Sequence, residues 1–153
     1  INTGETTYLK NLELNLEGDI ASAIYFLTVK LPSGRKLFYN NPVLGNSKFG
    51  KPSLTYMGVD QTTKRWCRQE TYGGKLTENV VQAIARDCLV LTLSRCTTAG
   101  YTPVMHIHDE IVIEADPEQK LEDVNAIFAK PVPWAPGLPL KGDGFEALYY
   151  KKD

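Results

Sequence analysis

The chain has little that would build a cysteine- or histidine-based site. Its 153 residues include two histidines and three cysteines. Cys67, Cys88 and Cys96 are odd in number and lack close metal-ligand spacing, which argues against a disulfide scaffold or a zinc knuckle and fits a reducing cytosol. No run approaches the roughly 20 apolar residues of a membrane span, and the N-terminus lacks a signal peptide's basic and apolar regions. Charge of one sign is missing too. With 17 basic and 18 acidic side chains the net charge is −1, so any nucleic-acid contact must use a local patch. There is no internal repeat and no low-complexity linker. Ile1 in place of Met fits either a piece of a longer protein or removal of a tag.

What is present is ordinary globular composition. Apolar residues make up 42% and charged residues 23%, close to the average for folded domains, and the length suffices for a real core. In residues 1–20, Leu9, Leu12, Leu14 and Leu16 favour neither period, and the stretch is left unassigned. Tyr25-Phe26-Leu27-Thr28-Val29-Lys30-Leu31 reads as a strand, Pro32-Ser33-Gly34 as a turn and Arg35-Lys36-Leu37-Phe38-Tyr39 as the return. Residues 40–53, rich in Gly, Pro and Asn, read as a loop. A second hairpin follows, from Leu54 through a turn at Asp60-Gln61-Thr62-Thr63-Lys64 and back to Glu70. Lys30, Arg35, Lys36, Tyr39, Lys64, Arg65, Trp66 and Arg68 interleave cations with aromatics, as a phosphate-gripping surface would and as solvated hairpins commonly do.

After Tyr72-Gly73-Gly74, the spacing predicts one long helix from Leu76 to about Thr98, with Gly100 as its C-terminal cap. Val80, Ile84, Cys88 and Leu91 recur at helical spacing, and Val81, Ala85 and Leu89 widen the stripe, which predicts packing on more than one side. Lys75, Asn79, Gln82 and Arg86 fall along one face. Two amides and two cations in a row could read minor-groove acceptors and phosphates; a solvated helix face shows the same pattern. Beyond it, Asp116-Pro117-Glu118 is expected to open a second helix that runs to about Lys130. Residues 131–139, with four prolines, read as a rigid extended connector, and residues 140–146 as a last short strand.

The chemistry concentrates between these helices, in Val104-Met105-His106-Ile107-His108-Asp109-Glu110-Ile111-Val112-Ile113-Glu114. Two β-branched runs flank a charged centre, which reads as a hairpin with a His-Asp-Glu tip. In a regular strand Asp109 and Glu110 would diverge, whereas a tight turn could bring both carboxylates towards one cation. A metallo-hydrolase on His106-x-His108-Asp109 is the rival at these residues, but with two histidines it runs short of the three protein ligands of catalytic zinc.

Read with the helix before it, this hairpin resembles the C-terminal part of the family A DNA polymerases, the DNA polymerase I class, and most of all their phage-type members. The matching blocks are Leu31-Pro32-Ser33-Gly34-Arg35, Gly58-Val59-Asp60-Gln61, Thr71-Tyr72-Gly73-Gly74-Lys75, Glu78-Asn79-Val80-Val81-Gln82-Ala83-Ile84-Ala85-Arg86-Asp87, His108-Asp109-Glu110, Trp134-Ala135-Pro136-Gly137-Leu138-Pro139-Leu140 and Gly144-Phe145-Glu146. They stand in the family's order and cover nearly everything from Ala21 onward.

The resemblance implies an α+β fold of antiparallel hairpins packed on one long helix, forming the C-terminal palm portion over residues 21–153. It implies that Asp109 is a ligand of two Mg²⁺ ions, with Glu110 supporting that metal site directly or through water. It places His108 by the primer terminus, making His108, Asp109 and Glu110 the catalytic set. Gln82 would contact the minor groove of the new base pair; Asn79 and Arg86 share its face and, with Lys75, complete the DNA-binding candidates. The implied reaction is attack by a primer 3′-hydroxyl on the α-phosphate of a deoxynucleoside triphosphate, with primer-template DNA as partner, in a bacterial or phage-infected cytoplasm. The family's Asp-Tyr-Ser metal motif and its fingers helix are absent from these residues. Residues 1–153 alone are therefore expected not to polymerise without a partner portion carrying those motifs. The alternative is a noncatalytic DNA-binding or interaction module that keeps the palm fold, in which primer-template affinity would ignore changes at Gln82 and Arg86.

Overall fold

A computed structural model describes residues 5–22, 24–47 and 50–151. The elements are β1 (Thr6–Leu9), β2 (Leu12–Asp19), β3 (Ile24–Lys30), β4 (Lys36–Asn46), β5 (Pro52–Val59), β6 (Trp66–Thr71), α1 (Gly73–Thr98), β7 (Thr102–Ile107), β8 (Glu110–Glu114) and α2 (Leu121–Phe128). Strands β1 to β6 form one antiparallel sheet in chain order, and β7 and β8 form a second. The fold is α+β, as expected. The chain divides into two units, residues 1–82 and 83–153, with the boundary inside α1. None of the described helices is long and apolar enough to cross a membrane.

In the first unit the pairing sorts side chains onto two faces, because successive strand residues point opposite ways. Leu14, Val29 and Leu37 are cross-strand partners, as are Leu16, Leu27 and Tyr39, which makes one face apolar. Val29 and Tyr39 are buried there, and the Tyr39 and Tyr56 rings meet edge to face with centroids 5.1 Å apart. On the other face Lys30 Nζ lies 2.9 Å from Glu13 Oε1 and Lys36 Nζ 2.6 Å from Glu17 Oε1. The alternation of Leu12, Leu14 and Leu16 thus marks β2, within the stretch whose leucine spacing alone favours neither period; residues 1–4 lie outside the described ones.

The loop expected at 40–53 is largely strand. β4 continues to Asn46, where Val43, Leu44, Gly45 and Asn46 pair with Thr55, Leu54, Ser53 and Pro52. The break that Asn41 and Pro42 impose is absorbed by a bulge, with Asn41 at φ 47°. Side chains from β6 and β3 take up its carbonyls: Arg68 Nη1 donates to Asn41 O at 3.1 Å and Tyr25 Oη to Pro42 O at 3.4 Å. Between β4 and β5, Ser47 N–H donates to Lys51 O; residues 48 and 49 lie outside the described ones.

In the second unit α1 ends as expected. Tyr101 N–H bonds Cys96 O, Gly100 N–H bonds Thr97 O, and Gly100 has φ 86°, a Schellman cap. The helix starts at Gly73 rather than Leu76. Val81, expected to widen its apolar stripe, is instead 58% exposed.

Three further expectations fail. Asp116 and Pro117 form a turn, not a helix start: Gln119 N–H bonds Asp116 O while Gln119 Oε1 accepts from Asp116 N–H. α2 therefore begins at Leu121, without a side-chain cap but with Glu122 and Asp123 in its first turn, where the helix dipole favours them. Residues 131–139 are not extended. Bonds from Ala135 N–H to Val132 O and from Leu138 N–H to Ala135 O close two successive turns. Pro136 and Gly137 (φ 84°) occupy the two central positions of the second, the signature of a type II turn. Residues 140–146 form no strand, because they run against α2 instead. Gly144 N–H donates to Asn125 Oδ1, and a Cβ on Gly142 would lie 2.8 Å from Phe128 Cβ.

Candidate functional site

The second sheet positions the charged tip. Met105, His106 and Ile107 pair with Val112, Ile111 and Glu110, which leaves His108 and Asp109 as a two-residue loop. Such a loop demands left-handed backbone, and His108 supplies it with φ 50°, a conformation in which His is over-represented among non-glycine residues. Asp109 therefore lies outside the strand alternation, immediately before Glu110, the first residue of β8. His108, Asp109 and Glu110 are all exposed.

Glu110 has one protein partner that no local pattern suggested. The Tyr150 hydroxyl donates to Glu110 Oε2 at 3.3 Å. Loss of water around the phenol, followed by the charge and hydrogen bond of Glu110, raises the Tyr150 pKa above its ordinary value.

Among the described residues no group of three or more His, Cys, Asp or Glu could hold a metal ion. His108 lies in the loop, so the strand alternation that would align it with His106 stops at Ile107, which further weakens the hydrolase reading. The donor set at the tip is two adjacent carboxylates. That suits one Mg²⁺, which keeps several waters and takes one or two carboxylates, better than a zinc centre.

The residues predicted to face DNA lie on α1, where Lys75, Gln82 and Arg86 are exposed. Asn79 is half-buried, and its Nδ2 donates to the Tyr39 hydroxyl at 3.2 Å. Of the cations interleaved in the hairpins, Lys30 and Lys36 are paired with glutamates, and Arg68 binds Asn41 O and Thr55 Oγ1. Lys64 and Arg65 are exposed at the β5–β6 turn.

Over 129 residues, 83% of its length, the chain is 54% identical to the DNA polymerase of Bacillus phage SP02. The chain is similar to a DNA polymerase. It spans about one fifth of the length of that curated relative. No protein-family profile matches it, and no solved structure matches it. The likeness agrees with the polymerase resemblance read from His108-Asp109-Glu110 and the glutamine-bearing helix. Tyr39 and Tyr150, which bind Asn79 and Glu110, had no motif to announce them.

Proposed function

We propose that this chain is the C-terminal palm segment of a phage-type family A DNA polymerase, and that it takes part in template-directed nucleotidyl transfer. The observation that carries the reading is the identity with a DNA polymerase over most of the chain, joined to a hairpin whose loop and returning strand carry Asp109 and Glu110 as consecutive residues. Asp109 and Glu110 would hold Mg²⁺. The ion, when bound, supplies positive charge against the phosphate oxygens and favours ionisation of the primer 3′-hydroxyl. His108, at the loop's apex, stands by the primer terminus. Gln82 reads minor-groove acceptors of the nascent pair, and Arg86 and Lys75 neutralise phosphates, with primer-template DNA and deoxynucleoside triphosphates as ligands. Asn79 supports this face through Tyr39.

Two cations require more oxygen ligands than one carboxylate pair. The described residues offer no third group, so the second aspartate comes from another part of the polymerase. The test is primer extension with Mg²⁺ and all four deoxynucleotides, alongside primer-template binding by the same chain. Expected are binding that weakens in Gln82→Ala and Arg86→Ala, and no extension by residues 1–153 alone. Extension that persists in Asp109→Asn would sink the assignment of the metal site. Affinity indifferent to Gln82 and Arg86 would sink the assignment of the DNA-reading face.

A further inference from the structure

We propose that Tyr150 is a positioning residue for Glu110: its hydroxyl, 3.3 Å from Oε2, holds the carboxylate so that its other oxygen is presented to a divalent cation beside Asp109. The inference rests on reading Asp109 and Glu110 as cation ligands. A glutamate at the start of a strand, exposed to water, has three rotatable bonds and no reason to keep one orientation. A donor fixed on one carboxylate oxygen limits that rotation and leaves the second oxygen free, the role that hydrogen-bond partners of metal ligands commonly play.

The phenol is suited to this because it is rigid and because the segment that delivers it is anchored. Six residues upstream, Gly144 N–H is held by Asn125 Oδ1 of α2. Gly142 passes so close that a Cβ there would lie 2.9 Å from Asn125 Cα. On the other side of Tyr150, Lys151 Nζ lies 5.5 Å from the centroid of the Phe145 ring. Tyr150 itself is 45% exposed, so its hydroxyl contributes little to a core and its conspicuous contact is the carboxylate.

The experiment is a Mn²⁺ titration of the whole chain, following the electron-paramagnetic resonance of free Mn²⁺, for wild type, Asp109→Asn, Glu110→Gln, Tyr150→Phe and the Glu110→Gln/Tyr150→Phe double variant. Tyr150→Phe is expected to weaken binding about tenfold, at the lower end for residues that orient metal ligands. Its unfolding midpoint should stay that of wild type, and the double variant should bind no more weakly than Glu110→Gln alone, because nothing is left to orient. Wild-type affinity in Tyr150→Phe, with weakened binding in Asp109→Asn and Glu110→Gln, overturns the role of Tyr150 and leaves the cation site standing. A loss in the double variant that multiplies the two single losses also overturns it, since Tyr150 would then act elsewhere. Binding unaffected by Asp109→Asn and Glu110→Gln, or absent from wild type, removes the cation site and this inference with it.

Discussion

Asn79 donates its side-chain amide to the Tyr39 hydroxyl at 3.2 Å, joining the first part of α1 to the apolar face of the six-stranded sheet. The bond changes what one face of α1 can offer. Lys75, Gln82 and Arg86 are exposed, while the Asn79 side-chain amide is engaged with Tyr39.

Removing that bond tests its weight. Tyr39→Phe keeps the ring contact with Tyr56 and deletes the hydroxyl, so a loss of about 1 kcal/mol is expected in urea unfolding. A pH dependence accompanies it. Burial, the largest cause, raises the Tyr39 pKa above its ordinary value of 10.0, against a smaller opposing effect of the Asn79 bond. The tyrosine's contribution is therefore complete below the unfolded-state value and is lost as pH rises through the folded-state value. As pH rises above about 10, wild type should lose stability more steeply than Tyr39→Phe.

Arg95 joins α1 to the chain that follows α2. Its Nη1 and Nη2 donate to Lys130 O at 2.8 Å and Pro131 O at 2.7 Å. Arg95→Lys keeps the charge but cannot reproduce the planar fork, so a cost of roughly 1.5–3 kcal/mol is expected. Chemical denaturation measures it, and faster proteolysis around residues 130 and 131 should accompany it.

Gly142 has no room for a side chain. Gly142→Ala would put a methyl 2.8 Å from Phe128 Cβ and 2.9 Å from Asn125 Cα, atoms close to or in the helix backbone that cannot swing aside. A destabilisation of about 1–3 kcal/mol should appear as a lower thermal midpoint. An unchanged midpoint would mean that the segment after Leu140 does not run against α2.

His108 presents the opposite sign. At φ 50° it occupies a conformation that costs a non-glycine residue about 1 kcal/mol, so His108→Gly is expected to stabilise the hairpin by up to that amount. If His108 stands by the primer terminus, the same change lowers extension by the complete polymerase. Gain of stability with loss of activity is the expected pair, read by calorimetry and primer extension.

Local chemistry made much of this legible in advance. Alternating β-branched and aromatic residues revealed β3, β5, β6 and the His-Asp-Glu hairpin, and Gly100 announced the end of α1, because each depends on neighbours within a few residues. The carboxylate pair and the polymerase resemblance were visible for the same reason: their motifs are contiguous.

The residues by themselves thus determined the α+β class, the hairpin that carries Asp109 and Glu110, and the likeness to a DNA polymerase. Tertiary structure decided what distant partners control. Asn41 and Pro42 look like strand breakers, but Arg68 and Tyr25 capture their carbonyls and β4 continues. Asn79 looks like a surface amide until the Tyr39 hydroxyl, 40 residues earlier, accepts its hydrogen bond. Glu110 looks unaccompanied until Tyr150, 40 residues later, reaches it. A hydrogen bond depends on distance and direction in space, and no short window of sequence contains both of its ends.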